Sequence, residues 1–267
     1  MNVLITGASG GLGRALSAEC AKRGYNLFLT DINEAGLQAL RSGLERQYGV
    51  LIAAKACDLT SDESVNGLLD FADKCGFRFD MLFNVAGVDF EGGFLERERK
   101  NVLDIVSLNI GATLRITHGV LSRRIPGRPF YLIFVSSLAS MYPMPLKATY
   151  AASKRFLLDF SVALRQELKP QNVKVLALCP AGLATTPESI HGIAAQGIWG
   201  NATTNKLESV ARGTVNKALS GRSLYIPGTV NRSLYLFGKL VPRSVIAAIL
   251  HNRWRKAQCK WLNNKST

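Results

Sequence analysis

Short apolar runs alternate along the chain with longer segments whose apolar positions recur at helical spacing. The apolar runs are Val3-Leu4-Ile5, within a strand expected over Asn2–Thr6, then Asn26–Thr30, Leu51–Ala56, Met81-Leu82-Phe83, Phe130–Val135, Val173–Leu178 and Ser223–Ile226. Helical patterns lie between them, at Gly11–Gly24, Asn33–Tyr48, Ser61–Cys75, Glu96–Arg123, the segment ending near Lys169, and Lys206–Ser220. Strand and helix in strict alternation predict βα units and a parallel sheet with helices on both faces. Neither internal repeats nor low-complexity segments interrupt the pattern.

The length, 267 residues, suits one α/β domain. A chain of that size buries roughly 75% of its unfolded surface, so its core needs no covalent staples. Five cysteines (Cys20, Cys57, Cys75, Cys179 and Cys259) show neither metal-ligand spacing nor an even-numbered framework, and reduced thiols in a cytoplasmic protein are expected. The chain enters its first strand almost at once, so no leader is expected, and no apolar run reaches the ~18 residues of a spanning helix. The net charge of +14 is unevenly placed. After Glu208 there is no Asp or Glu, while eleven Lys and Arg follow. The basic character belongs to the end of the chain.

Candidate chemistry begins at Thr6-Gly7-Ala8-Ser9-Gly10-Gly11-Leu12-Gly13, between the first strand and the first helix. A glycine turn there presents backbone N–H groups to a phosphate at a helix N-terminus, and lets a pyrophosphate approach the main chain. Asp31 ends the second strand. A carboxylate at that place accepts hydrogen bonds from ribose hydroxyls and repels a 2′-phosphate, which favours NAD over NADP; capping the next helix is the other reading. Arg14 is the one nearby cation that could favour NADP. Small residues in Asn84-Val85-Ala86-Gly87 let the backbone run close to a cofactor. Asn109 is an oddity within an apolar helix face, where backbone satisfaction would also explain it. Tyr150 and Lys154 stand four apart, on one helix face. A free tyrosine titrates near ~10. A neighbouring ammonium and an oxidised nicotinamide would favour the phenolate. Of Ser136 and Ser137, on opposite sides of a strand end, only one can face Tyr150.

The glycine spacing, the Asn-x-Ala-Gly run and the Ser, Tyr-x-x-x-Lys series together resemble the short-chain dehydrogenase/reductase family of the classical type, over about residues 1–228. The resemblance implies a Rossmann-like doubly wound parallel sheet and reversible hydride transfer between a nicotinamide and a secondary alcohol or ketone. It implies Tyr150 as acid/base, and Lys154 as ribose ligand that depresses the tyrosine pKa. It selects Ser137 for the substrate oxygen and assigns Asn109 a water of a proton relay. It further implies cofactor contacts from Gly7, Ser9, Gly11, Leu12, Gly13, Asp31, Asp58, Leu59, Asn84, Ala86, Gly87, Pro180 and Leu183, and from Thr185 or Thr186. Two departures stand out: Val85 replaces an Asn, and Ala181 replaces the Gly after Pro180. A homodimer or homotetramer is expected, as is an apolar substrate, lipid- or steroid-like, under a lid over 187–205. Two alternatives are a non-catalytic dinucleotide sensor on the same fold and an NADP-dependent 3-oxoacyl-type reductase. The intact Ser137, Tyr150 and Lys154 argue against the sensor.

Residues 229–267 form a basic amphipathic extension. Apolar clusters alternate with basic residues, Trp254 and Trp261 stand beside cations, and Pro242 separates two short helices. Such a segment either lies in a membrane interface as a peripheral contact or packs its apolar face on the domain or a second subunit. It lacks the aromatic stacking pattern and motif of a nucleic-acid binder.

Overall fold

The computed structural model describes residues 1–185, 202–238 and 240–252. Seven strands form one parallel sheet: β1 (Asn2–Thr6), β2 (Asn26–Asp31), β3 (Ile52–Ala56), β4 (Met81–Asn84), β5 (Phe130–Val135), β6 (Val173–Leu178) and β7 (Leu224–Tyr225). Their order is β3-β2-β1-β4-β5-β6-β7. The chain winds outward from β1 in one direction, then returns to add β4 on its other side. The strand order switches direction between β1 and β4, and at the carboxyl ends of such a pair sheets of this kind hold ligands.

Alternation of side chains about each strand divides the core into two layers. Val3 and Ile5 point to the face covered by α1 (Gly11–Lys22), α2 (Glu34–Tyr48) and α7 (Leu207–Leu219). Leu4 points to the other face, covered by α3 (Asp62–Lys74), α5 (Thr113–Leu121) and α6 (Ala148–Glu167). Because both faces are covered, the central strands are almost wholly buried and read as apolar runs. Phe28, Phe71, Phe77 and Phe79 pack in a cluster on this second face, Phe28 tilted or edge-on to the other three and Phe77 stacked on Phe79.

Helix boundaries follow local chemistry. Asn33 caps α2 by accepting the Gly36 N–H at 3.0 Å, and Ser61 caps α3 by accepting the Ser64 N–H at 3.2 Å. Both helices carry acidic residues in the first turn. The N-terminus of α1 lacks both devices: Gly10 offers no side-chain cap and no acid follows.

The single helix expected over Glu96–Arg123 is shorter and interrupted. It begins as α4 (Arg99–Val106), widens to a π-type turn over Ser107–Ala112, and continues as α5. Apolar spacing cannot reveal a one-residue insertion in the hydrogen-bond ladder, and such widened turns gather at functional sites.

Past the sheet, α8 (Thr229–Gly238) and a helix over residues 243–252 flank Pro242 as expected. The side chain of Asn231 is buried and donates to the carbonyls of Thr203 and Pro227 and to Asn205 Oδ1. Tyr235 packs on the small core group of Leu158, Ala177, Cys179 and Ile226. The first turns of the extension are thus seated on the sheet domain.

Candidate active site

The glycine turn follows β1 directly. Gly7 has φ +61, a left-handed angle, and a Cβ there would lie 2.8 Å from Ala86 Cα, in the turn after β4. At Gly13 a side chain would overlap the carbonyl oxygen of Gly7. The two crossing turns are held by Thr6, whose hydroxyl donates to Phe83 O and accepts the N–H groups of Val85 (3.0 Å) and Ala86 (3.2 Å). Thr6 belongs among the site's architects, although its spacing alone marks it only as the residue before the glycine turn. An uncapped helix N-terminus behind a turn with no room for side chains fits a pyrophosphate.

Asp31 sits at the end of β2 against this turn. One carboxylate oxygen accepts the Ser9 N–H at 2.9 Å and the other accepts the Asn33 N–H at 3.0 Å. The capping of α2 falls to Asn33, so Asp31 serves the glycine turn. Arg14 Nε donates to Ser9 O at 2.6 Å, on the same corner. Asp58 accepts both the backbone N–H (2.8 Å) and hydroxyl (2.6 Å) of Thr60, and these hydrogen bonds hold its carboxyl below the usual range. Leu59 beside it is buried in the core. Gly11 closes against Thr185, and Leu183 packs on the core layer of α1. Leu12 is buried in that same layer. Thr186 and most of the segment expected to form a lid, Trp199 included, lie outside the described residues.

Asn84 is buried, with its amide donating to Thr117 on α5 at 3.0 Å. Asn109 is fully buried on the widened turn. Its Oδ1 accepts the Val88 N–H at 2.8 Å, while its amide donates to Val88 O and to Ser153 Oγ, both at 3.0 Å. Both amide donors are therefore engaged, tying the loop after β4 to α6. The backbone-satisfaction reading applies to this side chain, and Ser153 is its partner.

The two serines after β5 separate as strand geometry demands. Ser136 is buried and donates to the Lys154 carbonyl at 2.7 Å. Ser137 faces Tyr150 closely enough to draw its pKa down, and its Oγ accepts the Ala139 N–H at 3.1 Å. The loop's other anchors are Leu138 N–H to Pro180 O at 2.8 Å, and Tyr142, whose hydroxyl donates to Leu234 O of α8 at 2.5 Å.

Lys154 is 5% exposed. Its Nζ donates to Val135 O at 2.9 Å and lies 5.8 Å from the Tyr150 ring centre. Burial brings its pKa down to about 8. Burial, reinforced by Asp89, pushes Tyr150 up to about 12 against the opposing pull of Ser137. In the protein alone, burial thus outweighs the depression expected from Lys154. A charged trio borders the pair, unseen in the sequence because its members come from two loops. Lys147 Nζ meets Asp89 at 2.6 Å and Glu91 at 3.2 Å, and lies 5.8 Å from the Tyr150 ring centre. Tyr150 lies on the wall of a cavity of about 190 Å³ that Phe90, Phe94 and His251 also line.

The short-chain dehydrogenase model matches residues 1–190. The chain belongs to the short-chain dehydrogenase family. It is 34% identical over 175 residues to a very-long-chain 3-oxoacyl-CoA reductase of Laccaria bicolor, covering 64% of this chain and 52% of that protein. A protein of the same name from Pyrenophora tritici-repentis is 34% identical over 178 residues, with the same coverage. The chain thus spans about half the length of the curated relatives it matches. Among solved structures, a short-chain dehydrogenase from Sphingobium yanoikuyae in complex with NADPH is 26% identical, with a TM-score of 0.73 and coverage of 89% of this chain and 92% of that one. LigD from Sphingobium sp. strain SYK-6, in its apo form, is alike in fold at a TM-score of 0.78 and 20% identity, covering 90% of this chain and 94% of that one. The doubly wound sheet expected from the sequence is the fold observed.

Proposed function

We propose that this protein reduces an apolar ketone, or oxidises the matching secondary alcohol, with a nicotinamide dinucleotide. The observation that carries the reading is the meeting of Ser137, Tyr150 and buried Lys154 next to the turn after β4, where a Cβ on Gly87 would lie 3.2 Å from Lys154 Nζ. When bound, the dinucleotide supplies or receives the hydride. Ser137 and Tyr150 hydroxyls hold the ketone oxygen. Tyr150 donates its proton to that oxygen as the carbonyl carbon becomes tetrahedral. With its pKa raised to about 12, the phenol keeps its proton at neutral pH, the state that reduction requires. Lys154 gives one donor to Val135 O, and its remaining donors suit ribose hydroxyls. Asn109, through Val88 and Ser153, positions the cofactor loop against α6.

The Asp31 carboxylate at the glycine turn supports NAD as the preferred form. Arg14 and the NADPH complex of the Sphingobium protein speak for NADP. Long-chain 3-oxoacyl thioesters stand first among the ketones, on the names of the fungal relatives. The basic extension supports peripheral contact with a membrane, where such substrates reside.

The test is a panel of ketones and alcohols followed at the reduced-cofactor absorbance band, with wild type and Tyr150→Phe. Wild type turns over an apolar ketone. Tyr150→Phe binds cofactor with wild-type affinity, and its turnover falls by about 100-fold or more. A variant keeping a tenth of the wild-type rate refutes the acid/base role.

A further inference from the structure

The large apolar side chains exposed among the described residues cluster by position. Leu103, Val106, Phe156 and Val162 lie on α4 and α6. A second group, Phe94 and Leu95, lies in the loop after β4, with Leu95 94% exposed. A third occupies α8, the bend after it and the helix over residues 243–252: Leu236, Phe237, Leu240, Val245 and Ile249, with Phe237 68% exposed. The segments that carry the second and third groups reach one cavity. Phe94 and His251 line the same cavity, and Tyr150 is on its wall. The final helix also walls a neighbouring cleft of about 450 Å³ through Arg243 and Ala247, opposite Tyr142, Pro143 and Met144. The Tyr150 cavity is therefore walled by two segments remote in sequence, each of which also carries exposed apolar side chains.

We infer that this apolar rim docks on an anionic lipid bilayer, with the Tyr150 cavity opening toward the membrane so that an apolar ketone enters from the acyl layer. The inference rests on the proposed reduction of an apolar ketone and adds an orientation and a route to it. Charge selects the occupant. The chain has no acidic residue after Glu208, so the segment that carries the third group, with Arg232 and Arg243 in it, bears charge of one sign. A second copy docking face to face would bring the same charge against it, whereas anionic head groups neutralise it. The acids near the first rim segment are partly tied down. Asp89 and Glu91 pair with Lys147, and Glu96 accepts the Gly93 N–H at 3.1 Å. The loop thus contributes apolar insertion, and the extension contributes the charge.

The experiment uses the full chain with vesicles of phosphatidylcholine alone and with about 30% phosphatidylglycerol, at low salt, read by co-sedimentation. Wild type is expected to bind the anionic vesicles and to leave them as salt rises. Leu95→Asp and Phe237→Asp each weaken that binding about tenfold or more, since each removes one leucine- or phenylalanine-sized insertion. Both variants keep wild-type kcat/KM on a short, water-soluble ketone and lose about as much on a long-chain ketone embedded in vesicles as they lose in binding. Failure of wild type to bind anionic vesicles overturns the inference. Binding unaffected by Leu95→Asp overturns the orientation. A wild-type oligomer that Phe237→Asp splits assigns the rim to a second copy instead. Absence of ketone reduction by any form, with vesicle binding intact, counts against the proposed function and leaves the docking standing.

Discussion

Replacing Lys154 by Met isolates the cost of keeping an ammonium inside the site. Burial lowers the Lys154 pKa from 10.5 to about 8. Below pH ~8 the amine is charged in both the folded and unfolded chain, and the folded state bears the full penalty. Between ~8 and ~10.5 the folded amine is neutral while the unfolded one still holds its proton. The unfolded state then binds more protons, so stability rises with pH across that window. At about 1.36 kcal/mol per pH unit, the whole displacement is worth about 3 kcal/mol, of which about 2 kcal/mol is recovered by pH 9.5. Methionine has nearly the same shape and no charge. It leaves Val135 O without its donor, a cost of about 1–3 kcal/mol that does not vary with pH. The informative quantity is therefore the difference in unfolding free energy between wild type and Lys154→Met, followed by urea titration from pH 7.5 to 9.5. Wild type should gain about 2 kcal/mol on the variant over that range. Tyr150, raised to about 12, and Cys179, raised to about 11 by burial, stay protonated in the folded state there and are present in both proteins. A difference that stays flat with pH would show that the Lys154 ammonium is not penalised, and would undo the account of its environment. The variant should also lose cofactor affinity; unchanged affinity removes Lys154 from the ribose site.

Other expectations follow from the same geometry. Gly13→Ala places a methyl group against the Gly7 carbonyl and 2.8 Å from Ala8 Cα, so it should lower stability by about 1–3 kcal/mol and weaken dinucleotide binding, seen by thermal unfolding with and without cofactor. NAD should bind at least about tenfold more tightly than NADP, because a carboxylate ~4 Å from a 2′-phosphate costs up to ~4 kcal/mol before screening; dissociation constants in the reverse order, restored by Arg14→Ala, would assign the corner to Arg14. The exposed Leu103, Val106, Phe156 and Val162 on neighbouring α4 and α6 should be covered in a homodimer or homotetramer. Light scattering of wild type at micromolar concentration checks this: a monomer mass refutes it, and Val106→Glu with Phe156→Glu should reduce an oligomer to monomers.

Much of the architecture could be read from the chain because its strands are short and covered on both faces, so most appear as largely apolar runs, with only single breaks such as Lys55 in β3 and Lys174 in β6. The ends of β5 and β6 fall where the pattern puts them, at Val135 and Leu178. The glycine turn and the Tyr150–Lys154 pair were legible for a similar reason: each is a local spacing within one turn. What sequence spacing could not supply was contact between distant segments. The Asn109–Val88–Ser153 link joins three elements, and the Lys147–Asp89–Glu91 trio joins two loops. Nor could spacing supply desolvation. An ammonium beside a phenol suggests a lowered tyrosine pKa, yet the burial that brings them together acts in the opposite direction and prevails.

The anchoring of Tyr142 reaches beyond this one molecule. Its hydroxyl is held by Leu234 O, and its ring lies where a side chain on Gly238 would have to go. A full-sized residue at 238 can be accommodated only if 142 becomes small, and an aromatic at 142 is tolerated only above a bare backbone at 238. Natural variants of this chain should therefore change the two positions together, so that the drift of the extension is tied to that of the loop bearing Ser137. A library randomised at 142 and 238 and selected for activity should return compensated pairs far more often than either single replacement.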